Sequence, residues 1–156
     1  MDEESTPNSA AAVDVTVREA LFDDVAATIR LDELNTGLTK PDYWRDMFER
    51  YGSRKDRFFL VSVVESSVRG FIIGEVRAWE FGSPPCGWIF ALGVDPDCRL
   101  QGIGTQLFNA ICQCFREAGV DTVRTMLAVD DRLNLSFFRS QGLMGGPFIQ
   151  LELPLE

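Results

Sequence analysis

The sequence predicts a mixed α/β fold: one sheet flanked by helices, in the order β-α-α-β-β-β-α-β-α-β. Three observations predict it. Apolar residues alternate at the start of the chain, and β-rich runs occupy 58–64 and 68–81. Ile103, Leu107, Phe108, Ile111, Phe115 and Ala118 recur at helical spacing, as one buried helix face requires. Glycine and proline punctuate these runs, with no internal repeat and no linker, so 13–156 reads as one domain.

Each element has a local reason. Residues 1–12 are polar and then alanine-rich, which reads as a disordered tail. Val13, Val15 and Val17 alternate and predict the first strand. Asp23 or Asp24 stands where a helix cap or first-turn acid belongs, and the helix runs to about Leu34, before Gly37 breaks it. Pro41 suits the first position of a second helix, with Thr39 or Lys40 just outside it. Trp44, Met47, Phe48 and Tyr51 share a face of that helix and read as core, and Gly52 ends it. Glu65-Ser66-Ser67 is a short polar hairpin loop between two strands. Gly82-Ser83-Pro84-Pro85 breaks the chain before a strand at 87–94. Gly119 stops the amphipathic helix and a strand follows at 122–129. A short helix covers 133–141, and after Gly142, Gly145-Gly146-Pro147 leads into a last strand at 148–153.

Composition narrows the chemistry. The chain has 156 residues, 46% of them hydrophobic, enough for a real core. No apolar run approaches the roughly 18 residues of a membrane span. The opening Met-Asp-Glu-Glu-Ser-Thr is unlike a secretory leader, so a cytoplasmic protein is expected. There is no histidine, which excludes Ser-His-Asp and Cys-His catalysis. Any proton acceptor is therefore a carboxylate, a thiolate, a tyrosine, an amine or water. The four cysteines, Cys86, Cys98, Cys112 and Cys114, include no Cys-x-x-Cys pair. Cys112 and Cys114 point to different sides of one helix, so no metal site is expected and the thiols read as reduced. A net charge of −9 disfavours nucleic acid as a partner. Charge is uneven, with six basic residues in 40–57 and a strongly acidic 2–33. This reads as a solvated face, or alternatively as arginines for an anionic acceptor or the ribose phosphate of a cofactor.

The most telling stretch is Leu92-Gly93-Val94-Asp95-Pro96-Asp97-Cys98-Arg99-Leu100-Gln101-Gly102-Ile103-Gly104-Thr105. An apolar strand ends at Asp95-Pro96, because proline has no N–H to continue a ladder. Gly102 and Gly104 lack Cβ, so a ligand can come close to the backbone. They open a helix whose first N–H groups have no intrahelical acceptor and whose dipole favours a phosphate.

With Leu92, Val94, Pro96, Arg99, Gly102 and Gly104, the segment resembles the acetyl-CoA-binding motif of the GCN5-related N-acetyltransferases (GNAT superfamily), (Gln/Arg)-x-x-Gly-x-(Gly/Ala) after a Leu-x-Val-x-Pro strand end. Phe137-Phe138-Arg139-Ser140-Gln141-Gly142-Leu143 resembles the family's Phe-Tyr-x-x-x-Gly-Phe, and together the motifs cover about 88–143. The resemblance implies a mixed sheet in which the strands before and after the main helix are parallel and splay apart around the pantetheine arm. It implies acetyl-CoA as cosubstrate, held by the backbone of Leu92, Gly93 and Val94 along the arm and thioester. The backbone of Leu100, Gln101, Gly102, Ile103, Gly104 and Thr105 would hold the pyrophosphate, with Arg99 either on phosphate or pinning the turn. The implied reaction is direct transfer of acetyl to a primary amine of a small molecule, peptide or protein. The oligomeric state stays open, dimers being common in the family.

The chain also departs from the family pattern. The usual acid is the tyrosine of Phe-Tyr, and Phe138 stands there instead. An asparagine and a glutamate that often help fall at Asp131 and Met126, with Asn134 as a substitute polar contact. For the base, Glu75 and Glu80 lie on the long strand run at 68–81, which borders the cleft in the family, and, five apart, on opposite faces of it. Both also read as exposed sheet residues. Tyr43 and Tyr51 lie on the second helix, which shapes the acceptor site in the family. Trp79, Trp88 and Phe90 read as core, or as an apolar wall. Cys98 as a catalytic thiol is disfavoured. Two other readings compete with the enzyme: a non-catalytic CoA-binding regulatory module, and a nucleotide-binding domain, which lacks both a P-loop Lys-Ser/Thr and a dinucleotide fingerprint.

Overall fold

The computed structural model describes residues 14–99 and 101–156. They form two compact units, one ending at Thr125 and one spanning Met126–Glu156. The first holds β1 (Val15–Glu19), α1 (Val25–Thr36), α2 (Pro41–Tyr51), β2 (Arg57–Val64), β3 (Ser67–Arg77), β4 (Cys86–Val94), α3 (Ile103–Glu117) and β5 (Val123–Thr125). The second holds α4 (Arg132–Ser140). The sheet order is β1-β2-β3-β4-β5, antiparallel through β4 and parallel between β4 and β5. This is the mixed α/β architecture expected.

The local signals act as read, with differences of detail. Gly37 closes α1 at φ 74°, and Pro41 opens α2. Glu65 and Ser66 both have positive φ (49° and 65°), the geometry of a tight turn that suits the twist of a hairpin. Asp24 precedes α1, but its carboxylate makes no capping bond. It turns back to Arg18, at 2.6 and 3.0 Å, and accepts the Leu21 N–H at 2.7 Å. Buried Asp32 joins α1 to α2, accepting Trp44 Nε1 at 3.0 Å and Lys40 Nζ at 2.9 Å.

Two apolar layers cover the sheet. On one face Leu31, Trp44 and Met47 pack with Phe59, Val61, Phe71 and Ile73, and Phe48, Tyr51 and Phe90 join them partly buried. Most of the aromatic stripe of α2 is therefore core. On the other face α3 buries Ile103, Leu107, Ile111 and Phe115. It sits close because Gly74 and Gly87 leave room: a Cβ on Gly87 would lie 2.4 Å from the Phe115 ring.

Three expectations are corrected. β3 ends at Arg77, not at 81; Trp79 and Phe81 follow with φ of 64° and 49° and exposed rings, so Trp79 is not core. β5 has three residues where eight were expected. The last strand, 148–153, does not form, and Ile149, Leu151 and Leu153 are 80–84% exposed. Alternation alone cannot make a strand, because the ladder needs a neighbour, and the unit Met126–Glu156 has no other strand among the described residues. The tail expected at 1–12 lies outside the described residues.

Candidate active site

The site is built around β4. Its register with β3 pairs Ile73 with Ala91 and Gly74 with Ile89, so Phe90 has no partner and forms a bulge. A bulge bends the strand and re-aims its peptide groups. On the other side β5 accompanies β4 only over Gly87–Ile89, where Thr125 Oγ1 donates to the Ile89 carbonyl at 2.8 Å. From Phe90 to Val94 that edge runs on with no strand beside it among the described residues. Along Leu92, Gly93 and Val94 this edge of β4 is therefore without a strand partner among the described residues. Gly93 itself is a packing requirement, since a Cβ there would lie 2.5 Å from the Phe71 ring.

β4 delivers the chain into a bolted turn. Asp95 is buried, and its carboxylate accepts the Asp97 N–H at 3.0 Å and Arg69 Nη1 at 2.8 Å. Burial pushes its pKa up, but the Asp97 N–H and the Arg69 guanidinium outweigh this and hold it below the usual carboxylate range. Pro96–Cys98 makes one tight turn, and α3 then starts from Gly102 at φ 77°. A Cβ on Gly102 would meet nothing within 4 Å among the described residues, which leaves room beside it for a ligand. Ile103 is 1% exposed, which leaves only its backbone to serve the site. Gln101 and Thr105 are exposed beside it, and Gly104 is half-buried. Leu100 lies outside the described residues. The unpaired β4 edge could bond a pantetheine arm, and the glycine-opened helix end could hold a pyrophosphate.

Arg99 has a partner within the chain. Its Nη2 donates to Asn35 Oδ1, and Asn35 Nδ2 donates to the Val94 carbonyl at 3.2 Å. This bond ties Arg99 to the last turn of α1. Asn35 was invisible in the sequence, where it is simply a polar residue in the last turn of a helix.

The carboxylates sit differently from the expectation. Glu75 is on β3, with its side chain 18% exposed, 3.2 Å from Arg77 and 3.9 Å from Arg57. Glu80 lies beyond the strand, 61% exposed and 3.8 Å from the same Arg77. They are therefore not on opposite faces of one strand: β3 has ended, and the 80–82 turn brings both to one guanidinium. Arg77 also stacks on Trp88, 4.4 Å from its ring centre. Tyr51 contacts the bulge, its ring centre 4.9 Å from that of Phe90, while Tyr43 stays exposed against Trp44. Burial, and secondarily the charge of Glu75, push the Tyr51 phenol up, so it remains protonated at neutral pH. Cys98 is pushed up by burial and by Asp95, which leaves it an inert thiol. In the second unit, Asn134 is occupied at the start of α4, its backbone and side-chain N–H groups donating to Asp131 at 3.2 and 2.9 Å. Phe138 is 4% exposed.

Comparison with known proteins agrees with this geometry. The chain is 31% identical over 90 residues to mycothiol acetyltransferase of Saccharomonospora viridis; the match covers 56% of this chain and 29% of that protein, so the chain spans under a third of the relative. Its fold is similar to that of aminoglycoside N-acetyltransferase AAC(6')-Iy in complex with CoA (TM-score 0.78, 12% identity, 91% and 95% of the two chains). It is likewise similar to an aminoglycoside acetyltransferase from an uncultured soil metagenomic sample (TM-score 0.70, 21% identity, 91% and 97%). A family model described as the Acetyltransferase (GNAT) family matches residues 25–143, and the chain belongs to that family.

Proposed function

We propose that the chain is an acetyl-CoA-dependent N-acetyltransferase, with 13–156 acting as one catalytic domain on a primary amine of a small molecule or peptide. One observation carries the reading: β5 leaves β4 at Ile89 while β4 continues past a bulge into a turn that ends on left-handed Gly102. Peptide groups at Leu92 and Val94, on the β4 edge that β5 leaves, would bond the pantetheine arm, and the backbone from Gln101 to Thr105 would hold the phosphates. The Val94 carbonyl, though bonded to Asn35, keeps a second lone pair for the arm. Acetyl-CoA supplies the activated acyl group, the amine attacks its carbonyl carbon, and the CoA thiolate leaves. The chain contributes proximity, an effect worth about 7–11 kcal/mol in good intramolecular models. Of the two acidic candidates, half-buried Glu75 beside Tyr51 is better placed than Glu80 to take the ammonium proton, directly or through water. The net charge of −9 favours a cationic acceptor by steering. We place the protein in the cytoplasm, with no nucleic acid or membrane partner, and read it as a homodimer.

Thermal unfolding with acetyl-CoA, CoA, ATP and NAD tests the cofactor. A ligand at 100 times its Kd adds about 2.7 kcal/mol of stability. The expected result is a shift with both CoA species that Gly102→Asp removes. Aspartate tolerates left-handed backbone but sets a carboxylate beside the phosphates. No shift with either CoA species overturns the reading. A shift without acetyl transfer to any amine of a broad panel assigns the non-catalytic CoA-binding module instead.

A further inference from the structure

Asn35 bridges both ends of the segment that leads from β4 towards α3. It stands in the last turn of α1. Its Nδ2 donates to Leu31 O at 2.9 Å, which fixes the amide on its own helix, and to Val94 O at 3.2 Å. Its Oδ1 accepts from Arg99. Val94 is the last residue of β4, and Arg99 follows the Pro96–Cys98 turn. Asp95 ties the same segment from the sheet side, through Arg69. The turn is thus held from two directions, and the helix-side tie rests on a single amide. Asparagine meets a specific demand there: one short, planar group that donates to a carbonyl and accepts from a guanidinium. Aspartate keeps the acceptor but loses the donor; leucine has the same shape and neither.

We propose that Asn35 is a positioning residue for the phosphate-binding turn, holding Val94 and Arg99 so that the backbone at Gly102–Gly104 is preset for the pyrophosphate. This rests on the reading of the turn as a CoA cradle. The effect acts through the turn, since no bond from Asn35 to the cofactor is invoked. It is a cofactor effect only: the acceptor and the chemical step are left alone.

The test uses the full chain with Asn35→Leu, Arg99→Leu and the double variant. Loss of a hydrogen bond to a charged group, with its neighbour, predicts a rise of about tenfold in the Kd of CoA for Asn35→Leu, measured by calorimetry. KM for acetyl-CoA rises in parallel, while kcat and the KM for the amine stay within about twofold. In the CoA-free protein, amide exchange at Gly102 and Gly104 speeds up while exchange in β2 and β3 does not. The double variant is little worse than either single one, because both remove the same contact. Asn35→Asp gives an intermediate Kd, and it replaces Asn35→Leu should that variant not fold. An unchanged Kd, additive losses, or faster exchange throughout the sheet overturns the proposal and makes Asn35 a tie for α1 alone. Failure of the unmodified chain to bind CoA overturns the cradle reading itself, and is seen before any variant is made.

Discussion

Ser62 lies at the irregular step between β2 and β3 with no exposed surface, and its hydroxyl has no partner among the described residues. A buried hydroxyl without a hydrogen bond costs about 1–3 kcal/mol. Ser62→Ala is therefore expected to raise stability by about 1 kcal/mol, read as a higher urea midpoint at constant slope. The opposite holds at Gly87, where any Cβ falls against Phe115, itself 1% exposed. Gly87→Ala should lower stability by about 1–3 kcal/mol in the same measurement, since the ring has nowhere to move. Residue identity was plain in the sequence at both positions. The reason for it was not, because Gly87 and Phe115 meet only when α3 folds back over the sheet.

At the scale of elements, two carboxylates fasten connections on the sheet: Asp24 before α1 and Asp95 after β4. Burial opposes ionisation at both, but the Arg18 guanidinium with the Leu21 N–H, and the Asp97 N–H with Arg69, more than offset it. Each folded-state pKa is therefore below the unfolded value of about 3.9. The folded state then binds fewer protons, so this stability is complete above about pH 5 and is lost as pH falls through the folded values. Urea midpoints measured between about pH 6 and 2 should fall on the acid side, and Asp95→Asn should flatten part of that fall. The strand-turn-helix unit of β4 and α3 was legible because all of it is local: a proline ends the strand, and a glycine opens the helix. The Asn35–Arg99 bond spans 64 residues, so no pattern in either segment announces it. The Phe90 bulge is equally silent, because a register slip depends on two strands at once.

For the whole molecule, the apolar segment from Pro147 to Leu155 sets an expectation about assembly. Met144, Ile149, Leu151, Leu153 and Leu155 are all at least 80% exposed. Two copies paired antiparallel about Leu151 would set Ile149 opposite Leu153 and Gln150 opposite Glu152, with no like charges face to face. Light scattering should give a dimer, and Leu151→Asp should shift it to monomer without loss of CoA binding; a monomeric unmodified chain overturns this. The segment also shows where sequence stops. By itself the sequence determined the order of helices and strands through α4, the proline and glycine that bound the turn before α3, and the absence of histidine chemistry, since periodicity, capping and side-chain inventory are local properties. Only the tertiary structure decided that β3 stops at Arg77 and brings Glu75 and Glu80 to one arginine, that Tyr51 meets the bulge, that Asn35 bonds both Arg99 and the Val94 carbonyl, and that 148–153 is not a strand. Each of these depends on what lies across space from a residue, and the chain's own neighbours carry no record of that.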